Sequence, residues 1–196
     1  MAKCADMINV KVIRDSYDET TIEKIHELLI EELKIKKNNL KIARTPEGKL
    51  YIQDGLSNIE ISVSHSDGNF VLGMNEQNVK IGLDIERIRN REINSRVVER
   101  FFSVDEQKAI LSSENPSEEL LRFWSRKESL VKCLGTGMIL PFASINTLGE
   151  LVLFEGKKYR IKSQKKKFNE MYYWLSVALQ SEAIFGVEFC ERGENE

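Results

Sequence analysis

One segment, Val79–Glu86 (VKIGLDIE), limits what this 196-residue chain can fold into more than any other. Side chains of a strand alternate between its faces, so Ile81, Leu83 and Ile85 share one face while Asp84 and Glu86 share the other. That apolar face has to be covered, which puts the two acids at the end of a buried strand, a place where ligand sites often form. Further along, Phe123–Lys132 (FWSRKESLVK) reads as a helix that gathers Trp124, Lys127, Glu128 and Lys132 on one side. A carboxylate between cations suits phosphate chemistry, and Asp84, Glu86 and Glu128 can meet around one hard cation.

Each feature has an ordinary reading on its own. Asp84 and Glu86 can be solvent-facing strand residues beside Arg87 and Arg89. Glu128 and Lys132, four apart, can be a helix-surface ion pair worth about 0.3–0.5 kcal/mol. Trp124 is most simply a core aromatic that holds its helix still. The buried strand tips the balance: carboxylates without a His or Cys cluster are what magnesium prefers, alongside waters and substrate phosphate.

The rest of the composition sets bounds. A chain of this length buries about 70% of its unfolded surface and needs no disulfides. Lys and Arg number 29 against 31 Asp and Glu, so the net charge of −2 draws it to neither nucleic acid nor an anionic membrane. Cys4, Cys133 and Cys190 are odd in number and lack paired CxxC spacing, which argues for a reducing compartment and against structural zinc. With no apolar leader and no run of about 18 apolar residues, a soluble cytoplasmic protein is expected.

Periodicity predicts a strand at Ile8–Ile13, then an amphipathic helix at Thr20–Lys36 with Ile22, Ile25, Leu28, Leu29 and Leu33 inward. Thr45–Gly55 reads as loop with a short extended piece. Strands follow at Ile59–Val63, Phe70–Met74 and Val79–Ile85. Past Arg91 the pattern turns helical, with Ser103 and Glu106 as a capping box and Gly135 and Gly137 ending the Trp124 helix. From Leu151 on, short alternations predict an antiparallel meander. The fold class is α+β, with lobes at residues 1–90 and 91–196. Lys165–Lys167 reads as a solvated turn, and Gly135-Thr136-Gly137 follows a helix where a phosphate loop would open one. Ser64-His65-Ser66 sits at a strand end without the elbow of a serine hydrolase.

VSHS, IGLDIE, FFSVDE and WSRKESLVKCLGTGM, in this order and spacing, resemble the 4′-phosphopantetheinyl transferase superfamily, surfactin-synthetase (Sfp) type, over roughly Thr45–Phe142. The resemblance implies two similar α+β lobes about a pseudo-twofold axis, each a small antiparallel sheet packed on helices, with coenzyme A in the cleft between them. It implies that Asp84, Glu86 and Glu128 hold magnesium, or manganese, on the coenzyme A pyrophosphate. Lys132 and His65 would touch phosphates; Ser64, Lys127, Gly48 and Lys49 are further coenzyme A contacts, with Gly48-Lys49 matching the family's GKP. Glu128, directly or through water, and Lys132 would be the catalytic pair.

The implied reaction moves 4′-phosphopantetheine from coenzyme A to a serine of an apo acyl, peptidyl or polyketide carrier protein, releasing 3′,5′-ADP. The carrier would dock near residues 135–166, on a monomer. Two departures stand out: acidic DSYDE lies where longer members carry a basic segment, leaving Arg44 and Lys49 to grip the 3′-phosphate, and Leu50 replaces the proline of GKP. The alternatives are a magnesium-dependent hydrolase of coenzyme A and a carrier-binding module without activity.

Overall fold

A computed structural model describes residues 7–19, 21–37, 40–53, 58–137 and 140–192. Cys4, Thr20 and Gly55 lie outside them. The chain runs β1 (Ile8–Ser16), α1 (Thr21–Leu33), β2 (Lys41–Arg44), β3 (Leu50–Gln53), β4 (Glu60–Ser66), β5 (Asn69–Asn75) and β6 (Ile81–Arg87). It continues through α2 (Ser95–Phe101), α3 (Val104–Leu111) and α4 (Pro116–Leu134), then a short 3-10 turn at Phe142–Ser144. Four strands close it: β7 (Leu151–Phe154), β8 (Lys157–Phe168), β9 (Met171–Leu179) and β10 (Phe185–Glu191).

Two four-stranded sheets, ordered β10-β1-β5-β4 and β6-β9-β8-β7, make the α+β architecture, with β2 and β3 as a separate hairpin. Their facing sides share one core, in which Val10, Val12 and Val71 meet Leu83, Ile85, Leu175 and Val177. Helix α1 covers the far side of the first sheet with Ile25, Leu28 and Leu29. Helix α4 covers the far side of the second, placing Leu130 and Cys133 against Tyr159, Ile161 and Ala178. Burying each apolar face against another layer is what turns these amphipathic elements into one body.

The last strand departs from the sequence reading. β10 does not extend the antiparallel meander; it leaves the second sheet and pairs parallel with β1, from Ile8 opposite Phe185 to Arg14 opposite Glu191. Residues 185–191 therefore sit with the N-terminal elements, and a division at residue 90 does not separate the two sheets cleanly. Ile22, expected inward on α1, is 43% exposed, and Lys165–Lys167 belongs to strand β8 where a turn was expected. The capping box forms as read: Ser103 accepts from the Glu106 amide, and Glu106 accepts from the Ser103 amide.

Two local features fix how α4 lies on β6. Gly82 has no room for a side chain: a Cβ there would stand 1.9 Å from the Ser129 carbonyl oxygen and 2.3 Å from the Cys133 amide. The bare strand backbone lets the helix come down onto it beside Asp84. Gly135 then ends α4 in the left-handed conformation at φ 74°, which a glycine adopts without steric cost.

Candidate active site

A cavity of about 720 Å³ opens where β4, β6, α1, α4 and the Arg44–Leu50 turn converge. It gathers nearly every residue singled out from sequence. Asp84 and Glu86 come from the end of β6, Glu128 and Lys132 from one turn of α4, Ser64 and His65 from β4, and Arg44, Gly48 and Lys49 from the turn.

Asp84 is the most constrained of these. It is only 3% exposed, and its Oδ1 accepts from Lys132 Nζ at 2.8 Å and from Ser64 Oγ at 2.9 Å. Its Oδ2 is buried without a hydrogen-bond partner among the described residues. A buried carboxylate oxygen left unpaired is costly and asks for an occupant. Glu86 and Glu128 show the same excess of negative charge. Burial, and next the Asp84 carboxylate, push each up to about 7, with Lys132 pulling the other way.

Among the described residues no three His, Cys, Asp or Glu side chains are already assembled as a metal site. The donor chemistry nevertheless fits a hard dication: three carboxylates from two elements, one oxygen open, and no soft ligand. Magnesium ordinarily completes its shell with waters and substrate phosphate, so a half-built carboxylate set is what such an ion needs from the protein.

The remaining predicted residues divide. His65 is exposed and stacks on Tyr17, ring centroids 4.2 Å apart and planes 18° from parallel, at the cavity edge. Arg44 gives one N–H to the Gly48 carbonyl at 3.1 Å, and Lys49 gives Nζ to the Ile81 carbonyl at 3.1 Å with Glu60 at 3.7 Å. Ser64 is buried and bonded to Asp84 and Lys132.

Lys127 is the correction. It is 0% exposed, paired with Glu106 at 2.8 Å, and donates to the carbonyls of Phe142 (2.7 Å) and Ile145. One residue before Glu128, the helix has already turned from cleft to core, so Lys127 contacts no ligand in the cavity.

Sequence reasoning missed Tyr17 and underused Trp124. Trp124 is the packing anchor expected of it, set against Phe101 (5.5 Å) and Phe142 (5.6 Å), and it also lines the cavity one turn above Glu128. Tyr17 left no motif, because what brings it to His65 is the strand order β1-β5-β4, with β5 antiparallel to both neighbours.

Sequence comparison finds relatives of this chain. Residues 80–176, which hold β6, α4 and most of the second sheet, match the family described as the 4′-phosphopantetheinyl transferase superfamily. The chain belongs to that superfamily. Among curated relatives, it is 32% identical over 124 residues to the 4′-phosphopantetheinyl transferase ffp of Bacillus subtilis, a match covering 62% of this chain and 53% of that one. It is 31% identical over 135 residues to gsp of Aneurinibacillus migulanus (67% and 54%) and 27% over 124 residues to Sfp of Bacillus subtilis strain 168 (62% and 53%). The chain thus spans about half the length of the curated relatives it matches. Among solved structures, the holo-[acyl-carrier-protein] synthase of Thermotoga maritima aligns with TM-score 0.36 and 18% identity, over 53% of this chain and 65% of that one.

Proposed function

We propose that this protein transfers the 4′-phosphopantetheine group of coenzyme A to a serine hydroxyl of an apo carrier protein. The observation that carries this reading is the Asp84 carboxylate, clamped on one oxygen by Lys132 and Ser64 and open on the other, with Glu86 and Glu128 beside it in one cavity. Asp84, Glu86 and Glu128 would hold magnesium, or manganese. The chemistry such an ion supplies is neutralisation of pyrophosphate oxygens in a site that otherwise carries too much negative charge.

The chain's own residues supply the rest. Lys132 places its ammonium where charge collects on the leaving oxygen, a cation worth more at a partly buried site than in water. Glu128, which burial raises to about 7, would in its ionised form take the proton of the attacking serine, directly or through a water. The bond from serine oxygen to the phosphorus nearest pantetheine forms, the bridging P–O bond breaks, and 3′,5′-ADP leaves. Arg44, His65 and Lys49 line the same cavity and would contact the nucleotide phosphates.

The carrier, acyl or peptidyl, would approach over residues 135–166. Among the described residues no helix is long and apolar enough to cross a membrane. We place the protein in the cytoplasm as a monomer whose two sheets act as two lobes about the cleft.

The test is intact-mass spectrometry of apo acyl and peptidyl carriers incubated with the protein, coenzyme A and magnesium, with and without chelator. The expected result is a chelator-sensitive gain of about 340 Da, the mass of the transferred group. An unmodified carrier with 3′,5′-ADP released would make the protein a hydrolase, and no turnover of either kind would make it a binding module.

A further inference from the structure

The two sheets meet edge to edge without a backbone ladder. Three alternate serines of β4 take its place. Ser62 Oγ accepts the Leu83 amide at 2.9 Å, Ser64 Oγ the Ile85 amide at 3.3 Å, and Ser66 Oγ the Arg87 amide at 3.1 Å. Residues two apart on one strand face residues two apart on the other, so a single register sets all three rungs. Each rung satisfies an edge amide of β6 that burial would otherwise leave unpaired.

The middle rung does more. Ser64 Oγ also donates to Asp84 Oδ1 at 2.9 Å and accepts from Lys132 Nζ at 2.7 Å, while Lys132 and Asp84 bond each other at 2.8 Å. A hydroxyl has one hydrogen and two lone pairs, and here all three are used. The serine, the acid and the lysine close a triangle with sides of nearly equal length. Ser64 lines the cavity but is only 5% exposed, with its hydroxyl fully engaged by protein groups.

We propose that Ser64 is a positioning residue: by occupying Asp84 Oδ1 and one N–H of Lys132, it fixes the carboxylate with Oδ2 as its open oxygen and holds the ammonium beside it. This is a second role beside the contact with coenzyme A expected from sequence, and it rests on the cation-and-phosphate reading of the site. Without the hydroxyl, the two Asp84 oxygens become equivalent toward Lys132, and the lysine competes for the oxygen that an ion needs. Partners that orient a metal-binding side chain typically count for 10–100-fold in affinity or activity.

The experiment is a calorimetric magnesium titration of the protein with coenzyme A present, run beside the magnesium dependence of transfer, on the unsubstituted protein and on Ser64→Ala, Ser62→Ala and Ser66→Ala. Ser64→Ala is expected to raise the magnesium midpoint about tenfold or more in both readouts. Ser62→Ala and Ser66→Ala, which cut only neighbouring rungs, are expected to lower the melting temperature and leave the midpoint in place. Ser64→Thr, which keeps the hydroxyl, should recover the midpoint. Ser64→Cys, which keeps the volume with a weak donor, should raise it again if alanine loosens the seam.

Equal shifts in all three alanine variants, or no shift in Ser64→Ala and Ser64→Cys, would overturn the role and leave Ser64 a seam residue. The unsubstituted protein separates loss of the transfer reaction from loss of the Ser64 role. Magnesium binding without carrier modification would sink the transfer reaction and keep Ser64, whereas no magnesium binding would remove the cation reading and this role with it.

Discussion

Helix α4 contributes lysines to two carboxylate pairs of the same length, and the pairs have opposite fates. Lys132 and Asp84 stand 2.8 Å apart at the seam between the sheets; Lys127 and Glu106 stand 2.8 Å apart in the core. The core pair is sealed. Glu106 Oε1 accepts from the Thr147 amide (2.8 Å) and hydroxyl (2.7 Å), and its Oε2 from the Ser103 amide (2.8 Å) as well as Lys127. Lys127 spends its other two N–H groups on the Phe142 and Ile145 carbonyls. The seam pair is left incomplete at Asp84 Oδ2. Satisfaction of every donor and acceptor marks a structural pair, and a deliberate vacancy marks one that waits for a ligand.

The largest expected effects break this contrast outright. Asp84→Asn keeps the shape but removes the charge, and should cut transfer by at least about 10²-fold, the scale of losing a main electrostatic group, while the melting temperature stays within a few degrees. Glu106→Gln or Lys127→Met should do the reverse, costing about 3–5 kcal/mol of stability by stranding a buried charge. Urea unfolding of both sets beside carrier mass shifts checks the pattern. If Lys127→Met keeps its stability and loses only the rate, the two pairs are not different in kind.

A smaller effect comes from pH. Glu86 and Glu128 have folded values of about 7 against 4.5 when free, so between these limits the folded state binds more protons. Their contribution to stability is complete below about 4.5 and is lost as pH rises through 7. In the metal-free protein, Glu128→Gln should melt no higher than the unsubstituted chain at pH 5 but above it at pH 8, where two charged neighbours are relieved of a third. Magnesium should narrow that gap. A gap that is constant with pH would mean that Glu128 is not raised in the folded protein.

How much of this was legible follows the range of the forces involved. β6, α4 and the capping box at Ser103 were readable because alternation, helical spacing and caps act within a few residues. The sheet to which β10 belongs was not, since its partner β1 lies at the other end of the chain and a strand pattern does not name its neighbour. Lys127 was misread because residues one apart on a helix stand about 100° apart, and the line between cleft and core runs between Lys127 and Glu128. The alternate serines of ISVSHS and the glycine ahead of Asp84 were signals in plain view. Their meaning depends on what approaches from outside the strand: β6 amides in one case and the α4 backbone in the other.

The subtlest prediction concerns the residue next to Lys132. Cys133 faces away from the cleft into the contact of α4 with the second sheet, and burial pushes its thiol up to about 12. The reactive thiolate is therefore scarce at neutral pH, and an alkylating agent has no path to it while the helix stays down. Cys190, on the edge strand β10, is half-buried and should be labelled before Cys133. In the native protein iodoacetamide is expected to modify Cys190 within minutes and Cys133 only at the rate at which α4 lifts from β6. Gly82→Ala pushes a methyl into the Ser129 carbonyl and Cys133 amide, so it should accelerate Cys133 labelling more than Cys190 labelling. Peptide mass mapping of the two sites over time reads this directly. Equal labelling rates in the unsubstituted protein would show that the core side of α4 opens as freely as the cleft side, and the contrast between its two lysines would then be one of chemistry without a difference in mobility.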